Sequence, residues 1–220
     1  SVICYNVANY RRAEGALQLS PNRGTMNDTQ VLIAGAGPAG LVLALELGAR
    51  DTDCVLLNDV AHTARHPKAN AISSRAMEHM RRHGVSERLR ARRLAQDHPT
   101  DLAYFTSLTG YEIGRFRQPS RIEALAEAKA GTGPWPSAEP PLRCSQIFPE
   151  EELKAKADTL SSVDMRFGWK LTAFDDREEQ VFAIIENSET SETHEITARY
   201  LVGCDGGNSM VRNSLGIELE

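Results

Sequence analysis

Residues 29–50 read TQVLIAGAGPAGLVLALELGAR, and this stretch decides the fold. Thr29 to Ala34 is a short, branched, apolar run closed by glycine, the pattern of a buried strand. Gly35-Ala36-Gly37-Pro38-Ala39-Gly40 follows as a turn. Pro38 suits the first position of a helix, where the N–H it lacks has no intrahelical partner. Leu41, Leu43, Ala44, Leu45 and Leu47 then carry a mostly buried helix to the neighbourhood of Arg50. Asp51-Thr52-Asp53 turns the chain, and Cys54 to Leu57 forms a second buried strand. Strand, glycine turn, helix and strand make a βαβ unit of about 30 residues.

The glycines have separate physical tasks. Gly35 permits the tight turn after the strand, Gly37 lets a pyrophosphate approach the backbone, and Gly40 lets helix and strand pack closely. The helix start offers free N–H groups and a partial positive charge to phosphate. With strand before and helix after, the motif predicts dinucleotide binding at Gly35, Gly37, Pro38, Ala39 and Gly40. A glycine-rich packing turn is the alternative. The second strand of such a site usually ends in an acidic residue that holds a ribose hydroxyl. Here Asn58 stands at that end, with Asp59 next to it. Either residue can serve, and position favours Asn58.

Working outward, residues 1–25 show no period and read as an extension outside the fold. Val31 to Leu45 carries no charge but is shorter than the roughly 20 residues of a membrane span, and Pro38 and three glycines interrupt it. Ser73 or Ser74 caps a helix that ends at His83-Gly84, and Ser86 starts another to about Leu94. The arginines at 81, 82, 88, 90, 92 and 93 read as a solvated helix face. Asp101–Leu108 and Tyr111–Phe116 are strand-like, with Thr109-Gly110 as a two-residue hairpin turn. Residues 130–142 hold four prolines and two glycines and form a loop. Ser145 to Leu160 reads as helix after Pro149. Met165–Phe174, Gln180–Glu186 and Glu192–Thr197 read as an antiparallel meander, and Tyr200–Cys204 as a final short strand.

Composition narrows the function. The chain has 220 residues, 41% hydrophobic and 25% charged, with a net charge of −5, which excludes a disordered or collagen-like chain. The acidic balance and the lack of aromatic residues beside the arginines argue against nucleic acid. Cys4, Cys54, Cys144 and Cys204 lie 50, 90 and 60 residues apart, so neither a zinc site nor a disulfide framework is indicated. Lone thiols point to a reducing, cytoplasmic setting. The six histidines are scattered, and no residue stands out as a catalytic acid or base.

A second motif completes the argument. Residues 200–212 read YLVGCDGGNSMVR, an apolar strand ending in Asp205-Gly206, with Ser209 and Arg212 at a helix start. Asp205 would face the crevice at the strand ends where ligands bind in such sheets. Together, residues 29–50, residues 66–85 (HPKANAISSRAMEHMRRHGV) and residues 200–212 resemble the FAD-dependent aromatic monooxygenases with the p-hydroxybenzoate hydroxylase fold. The likeness runs from Gln30 to Ile217 and is greatest to the phenol and polyketide hydroxylase branch.

The resemblance implies an α/β fold: a Rossmann-like parallel sheet with an antiparallel meander on one face and part of a second, substrate-domain sheet. It implies an FAD-binding domain over 26–100 and 145–220, with a partial substrate domain at 101–144. It places Gly35, Gly37 and Gly40 at the FAD pyrophosphate, Lys68 where the family has arginine near the phosphates, and Gln146 at a glutamine that approaches FAD. It places Asp205 and Gly206 where FAD and NAD(P)H bind, and Arg212 at the close of the motif. The implied reaction consumes NAD(P)H and O₂ and hydroxylates a phenolic or polycyclic ring, with the flavin carrying the chemistry. Asn58 replaces the family's glutamate, and the second Gly-Asp FAD motif is not found, so an N-terminal half of a longer enzyme is expected. The hairpin would leave its sheet edge unpaired and favour self-association. Alternatives are a flavin halogenase or epoxidase of the same fold, or a nucleotide-binding remnant without turnover.

Overall fold

The computed structural model describes residues 28–66, 68–92, 94–132, 137–177 and 179–218. The expected N-terminal extension, residues 1–25, lies outside them. In chain order the elements are β1 (Thr29–Ala34), α1 (Pro38–Gly48), β2 (Cys54–Asn58), β3 (Ala71–Ile72), α2 (Ser74–Arg82) and α3 (Ser86–Ala91). Next come β4 (Leu102–Phe105), β5 (Glu112–Phe116), α4 (Arg121–Ala130), β6 (Leu142–Arg143) and α5 (Ile147–Ala157). The chain closes with β7 (Val163–Phe167), β8 (Trp169–Arg177), β9 (Gln180–Asn187), β10 (Thr193–Gly203) and α6 (Met210–Ser214). Contacts divide the described residues into one unit drawn from 28–66 and 153–218, and a second drawn from 68–152.

The first unit holds a six-stranded sheet in the order β7-β2-β1-β10-β9-β8. β7, β2, β1 and β10 run parallel, while β10, β9 and β8 pair antiparallel. This is the α/β arrangement that the sequence predicts. β10 belongs to both parts: Thr193–Ala198 pairs with β9, and Ala198–Gly203 pairs with β1. The two short strands expected at 192–197 and 200–204 are thus one 11-residue strand. Conversely, the single strand expected over Met165–Phe174 is two. Gly168, at φ +82°, turns the chain between β7 and β8. One residue joins strands at opposite ends of the ladder, so the sheet must fold back on itself.

The side chains show how it folds. Leu32 and Ala34 of β1 and Val55 and Leu57 of β2 pack with Val181, Ala183, Ile185, Ile196 and Ala198 of the meander. Alternate residues point to the opposite face. Leu56 lies there, within reach of Gly40 in α1. The parallel sheet is therefore covered by α1 on one face and by the meander on the other. Leu32, Ile33, Leu56 and Ile185 are fully buried, and each such side chain contributes about 1.5–3 kcal/mol. Burial of Gly40, Leu41, Ala44, Leu45 and Gly48 forms one stripe along α1.

In the second unit β3 and β6 form a short antiparallel pair. Ser73 caps α2 by accepting from the Ala76 N–H at 3.3 Å, and Gly84 leaves the helix at φ +72°. α4 was not anticipated. Its signal is Ser120-Arg-Ile-Glu123, where both halves of a capping box form, with Gly131 at φ +67° ending the helix.

Two expectations in this unit are corrected. The β4–β5 turn is not the two-residue Thr109-Gly110 turn. Thr106 N–H bonds the Tyr111 carbonyl at 3.0 Å and encloses four residues. Gly110 serves close approach there, since a Cβ would lie 2.1 Å from the Thr106 Oγ1. The arginine stripe is a solvated face only in part: Arg81, Arg82, Arg88 and Arg92 are exposed, whereas Arg90 is not. Arg90 is 3% exposed and pairs with Glu139 at 2.5 Å, Arg88 pairs with Glu152 at 3.2 Å, and Arg92 with Glu151 and Glu152. The neutralising carboxylates lie some 50 to 60 residues away in sequence, out of reach of local pattern. Arg93 lies outside the described residues.

Candidate nucleotide-binding site

The C-terminal ends of β1, β2 and β10 meet at the glycine turn. The Gly35 N–H bonds the Leu57 carbonyl at 3.0 Å, and the Cys204 N–H bonds the Ala34 carbonyl at 2.7 Å. From β1 the chain crosses through α1 to β2 on one side, while β10 lies on the other. The reversal of direction opens a crevice at these strand ends.

Gly35 sits at φ +104°, and a Cβ there would lie 2.4 Å from the Cys204 carbonyl oxygen and 2.8 Å from the Asp205 Cα. This glycine lets the two motifs touch. At Gly40 a Cβ would meet the Gly35 carbonyl oxygen at 1.9 Å before reaching Leu56 at 3.3 Å. Its main task is closing the turn, with helix–strand packing second. Gly37 differs: a Cβ would meet nothing within 4 Å. No protein packing requires this glycine, and the space beside it is open. Gly37 also stands at the N-cap of α1 without a side chain to cap the helix, and the first turn has no acidic residue. The helix start keeps its donors and its positive end for a ligand.

Asp205 faces two ways. Its Oδ2 accepts from the Met210 N–H at 2.7 Å and the Val211 N–H at 3.3 Å, fixing the start of α6. Its Oδ1 is buried and has no partner among the described residues. A buried carboxylate oxygen without a donor is costly, and a ligand hydroxyl would satisfy it. Gly206, at φ +83°, turns the chain behind it. Arg212 does not project as a free cation. Its Nη1 donates to the Gly207 carbonyl at 2.8 Å and its Nη2 to Asn213 Oδ1 at 3.0 Å, so it braces the turn. Gly203 was not singled out from sequence. A Cβ there would lie 2.9 Å from the Val211 Cβ, so it seats α6 against β10.

Asn58 ends β2 and spends its amide N–H groups on the Val60 and His62 carbonyls, at 2.9 and 3.1 Å. Its side-chain oxygen takes no part in those bonds. Asp59 is exposed, and its carbonyl accepts from the Ser188 hydroxyl at 2.6 Å. That bond pins the loop to the meander and has no sequence signal. Lys68 and Gln146 belong to the second unit. Lys68 is exposed, whereas Gln146 donates from Nε2 to Glu150 Oε1 at 2.7 Å and from its N–H to the Ala69 carbonyl at 3.0 Å.

The open space at Gly37, the uncapped helix and the unsatisfied Asp205 oxygen fit a dinucleotide with its pyrophosphate on α1 and a hydroxyl on Asp205. Residues 28–220 match a family described as the FAD binding domain. The chain belongs to this family. FAD is accordingly the cofactor of this domain.

Members and neighbours of the FAD binding domain family agree. The chain is 31% identical over 200 residues to the FAD-dependent monooxygenase apdD of Emericella nidulans, covering 89% of this chain and 32% of that protein. It is 27% identical over 203 residues to phenol 2-monooxygenase of a Pseudomonas species, covering 90% and 32%. Among solved structures, the flavin-dependent monooxygenase PieE in complex with FAD and substrate superposes with a TM-score of 0.75 at 27% identity, covering 89% of this chain and 33% of that one. The chain thus spans about a third of the length of these relatives. Among the described residues no helix is long and apolar enough to cross a membrane, and no group of metal-ligating side chains is found.

Proposed function

We propose that this chain carries the nucleotide-binding part of an aromatic monooxygenase that uses FAD, NAD(P)H and O₂ to hydroxylate a phenolic or polycyclic ring. The observation that carries the reading is the buried, unpartnered Asp205 oxygen set against the Gly35 turn. Membership of the family and the names of the relatives, phenol 2-monooxygenase among them, support the reaction class.

In this reading the α1 N–H groups and the open approach at Gly37 hold the pyrophosphate. Asp205 accepts from a ribityl or ribose hydroxyl, with Gly206 giving the turn that presents it. Asn58 accepts from the adenosine ribose in place of a carboxylate, which weakens that contact by the loss of charge. Arg212 keeps the Asp205 turn in shape. FAD, when bound, supplies electron storage and oxygen activation. The hairpin β4–β5 contributes to the substrate domain, with exposed Tyr104, Tyr111, Ile113 and Phe116 available for its packing. A cytoplasmic setting fits Cys54, Cys144 and Cys204, none of which forms a disulfide among the described residues.

The test is to purify the protein with FAD and follow NADH and NADPH oxidation with and without a panel of phenols and polycyclic phenols under labelled O₂. Substrate-stimulated oxidation with one labelled oxygen in the product is expected. Flavin binding without any product oxygenation would overturn the proposed reaction.

A further inference from the structure

The second unit contains a small pocket, half open to solvent and with about 30 Å³ of room, that the flavin site does not explain. Arg90 of α3, Arg121 and Ala124 of α4, Leu142 and Arg143 of β6, and Thr100 of the connecting loop line it. Two guanidinium atoms of its lining residues are unsatisfied. Arg90 is 3% exposed, and its Nη1 has no hydrogen-bond partner among the described residues; the same holds for the buried Nε of Arg121. Arg90 Nη2 is spent on Glu139 at 2.5 Å and on the Pro140 carbonyl at 2.9 Å, and Arg143 donates to Asn70 Oδ1 at 3.3 Å. The Thr100 hydroxyl donates to the Pro119 carbonyl at 3.0 Å. No carboxylate lines the cavity.

We infer that this cavity is a binding site for a small inorganic anion, held between Arg90 and Arg121. Burying cationic donors without acceptors is costly, and an occupant that accepts from both removes the cost. The volume admits one occupant of water size or slightly larger, since a single water needs about 10–15 Å³ on this measure. A water would also have to place its own two hydrogens, whereas three arginines and one contacting carboxylate, Glu139, leave an excess of positive charge. An anion there would bridge α3, α4 and β6 and tie the stability of this unit to anion concentration.

The probe is chloride. Melting of the purified protein is compared in chloride and in gluconate, an anion too large for the cavity, at equal ionic strength, and chloride binding is read from chlorine NMR line broadening. Wild type should show saturable broadening and chloride-dependent stabilisation. Arg121→Gln should weaken chloride binding by about tenfold or more, as expected for loss of one charged hydrogen bond. Ala124→Leu fills the cavity without altering charge and should abolish the chloride effect, keeping the test informative if Arg121→Gln fails to fold. Equal broadening in wild type and Ala124→Leu, or no saturable broadening in wild type, would overturn the inference.

Discussion

Gly37→Ala separates a ligand-binding glycine from a packing glycine. The residue sits at φ −70° and ψ −177°, which alanine adopts without strain. The new methyl would meet no atom within 4 Å. Two small terms act on the protein alone. Reduced freedom of the unfolded chain stabilises by about 0.4–1 kcal/mol, and alanine at an N-cap is worse than glycine by a similar amount. They cancel to within about 1 kcal/mol, which for a chain of this size is a melting shift of no more than about 4 °C. FAD is another matter, since the methyl would occupy the space where phosphate meets backbone donors. Losing one charge-assisted hydrogen bond costs about 1.5–3 kcal/mol, which is roughly 10–100-fold in Kd. Gly35→Ala is the control. Its φ of +104° and the 2.4 Å approach to the Cys204 oxygen add about 1–3 kcal/mol of backbone strain and about 1–3 kcal/mol of overpacking, so that variant should melt roughly 5–20 °C lower. Calorimetric melting of the apoprotein and FAD titration by flavin fluorescence read both quantities. If Gly37→Ala binds FAD as wild type does, or melts more than about 4 °C lower, the assignment of this glycine to the phosphate is refuted.

Four other outcomes are expected. Asp205→Ala should lose both the hydrogen bonds to the Met210 and Val211 N–H groups at the start of α6, about 1–2 kcal/mol in melting, and FAD affinity; unchanged affinity would show that its buried oxygen is not a ligand group. Ser120→Ala should cost about 0.5–2 kcal/mol by breaking the α4 capping box, seen as faster amide exchange in 121–130. Hydrogen bonds from the Ser120 hydroxyl and backbone N–H hold the Glu123 carboxyl below its ordinary 4.5. That contribution is complete above pH 4.5 and is lost as pH falls through the lowered folded value, so protection of the α4 amides, relative to their intrinsic exchange, should fall on acidification in wild type and fall less in Ser120→Ala, which keeps only the backbone N–H donor to Glu123. Burial, helped by the charges of Asp53 and Asp164, pushes the Cys54 thiol up to about 11. Native protein should therefore resist alkylation at Cys54 at pH 8, and rapid labelling there would show that β2 opens readily.

The βαβ unit, the two glycine-bearing turns at Gly35–Gly40 and Gly206 and the meander were legible because each depends on local pattern. A strand, a glycine turn and a helix start declare themselves within a few residues, and Gly35 to Gly40 could be given roles from backbone sterics alone. The sequence also announced α4 through Ser120 and Glu123, although hydrophobic periodicity is weak there and the helix is easily passed over. Tertiary structure alone decided the rest. Gly168 sends one expected strand to two ends of a ladder, and β10 joins what looked like two strands, because pairing partners are chosen across the fold. Arg90 changed from surface charge to buried ion pair because Glu139 is brought to it through space. Arg212 became a brace, and Asp205 kept one oxygen free, for the same reason. Local sequence fixes which backbone shapes and side-chain chemistries are available, but the satisfaction or exposure of a polar group depends on atoms contributed by distant segments, and those meet only when the chain has folded.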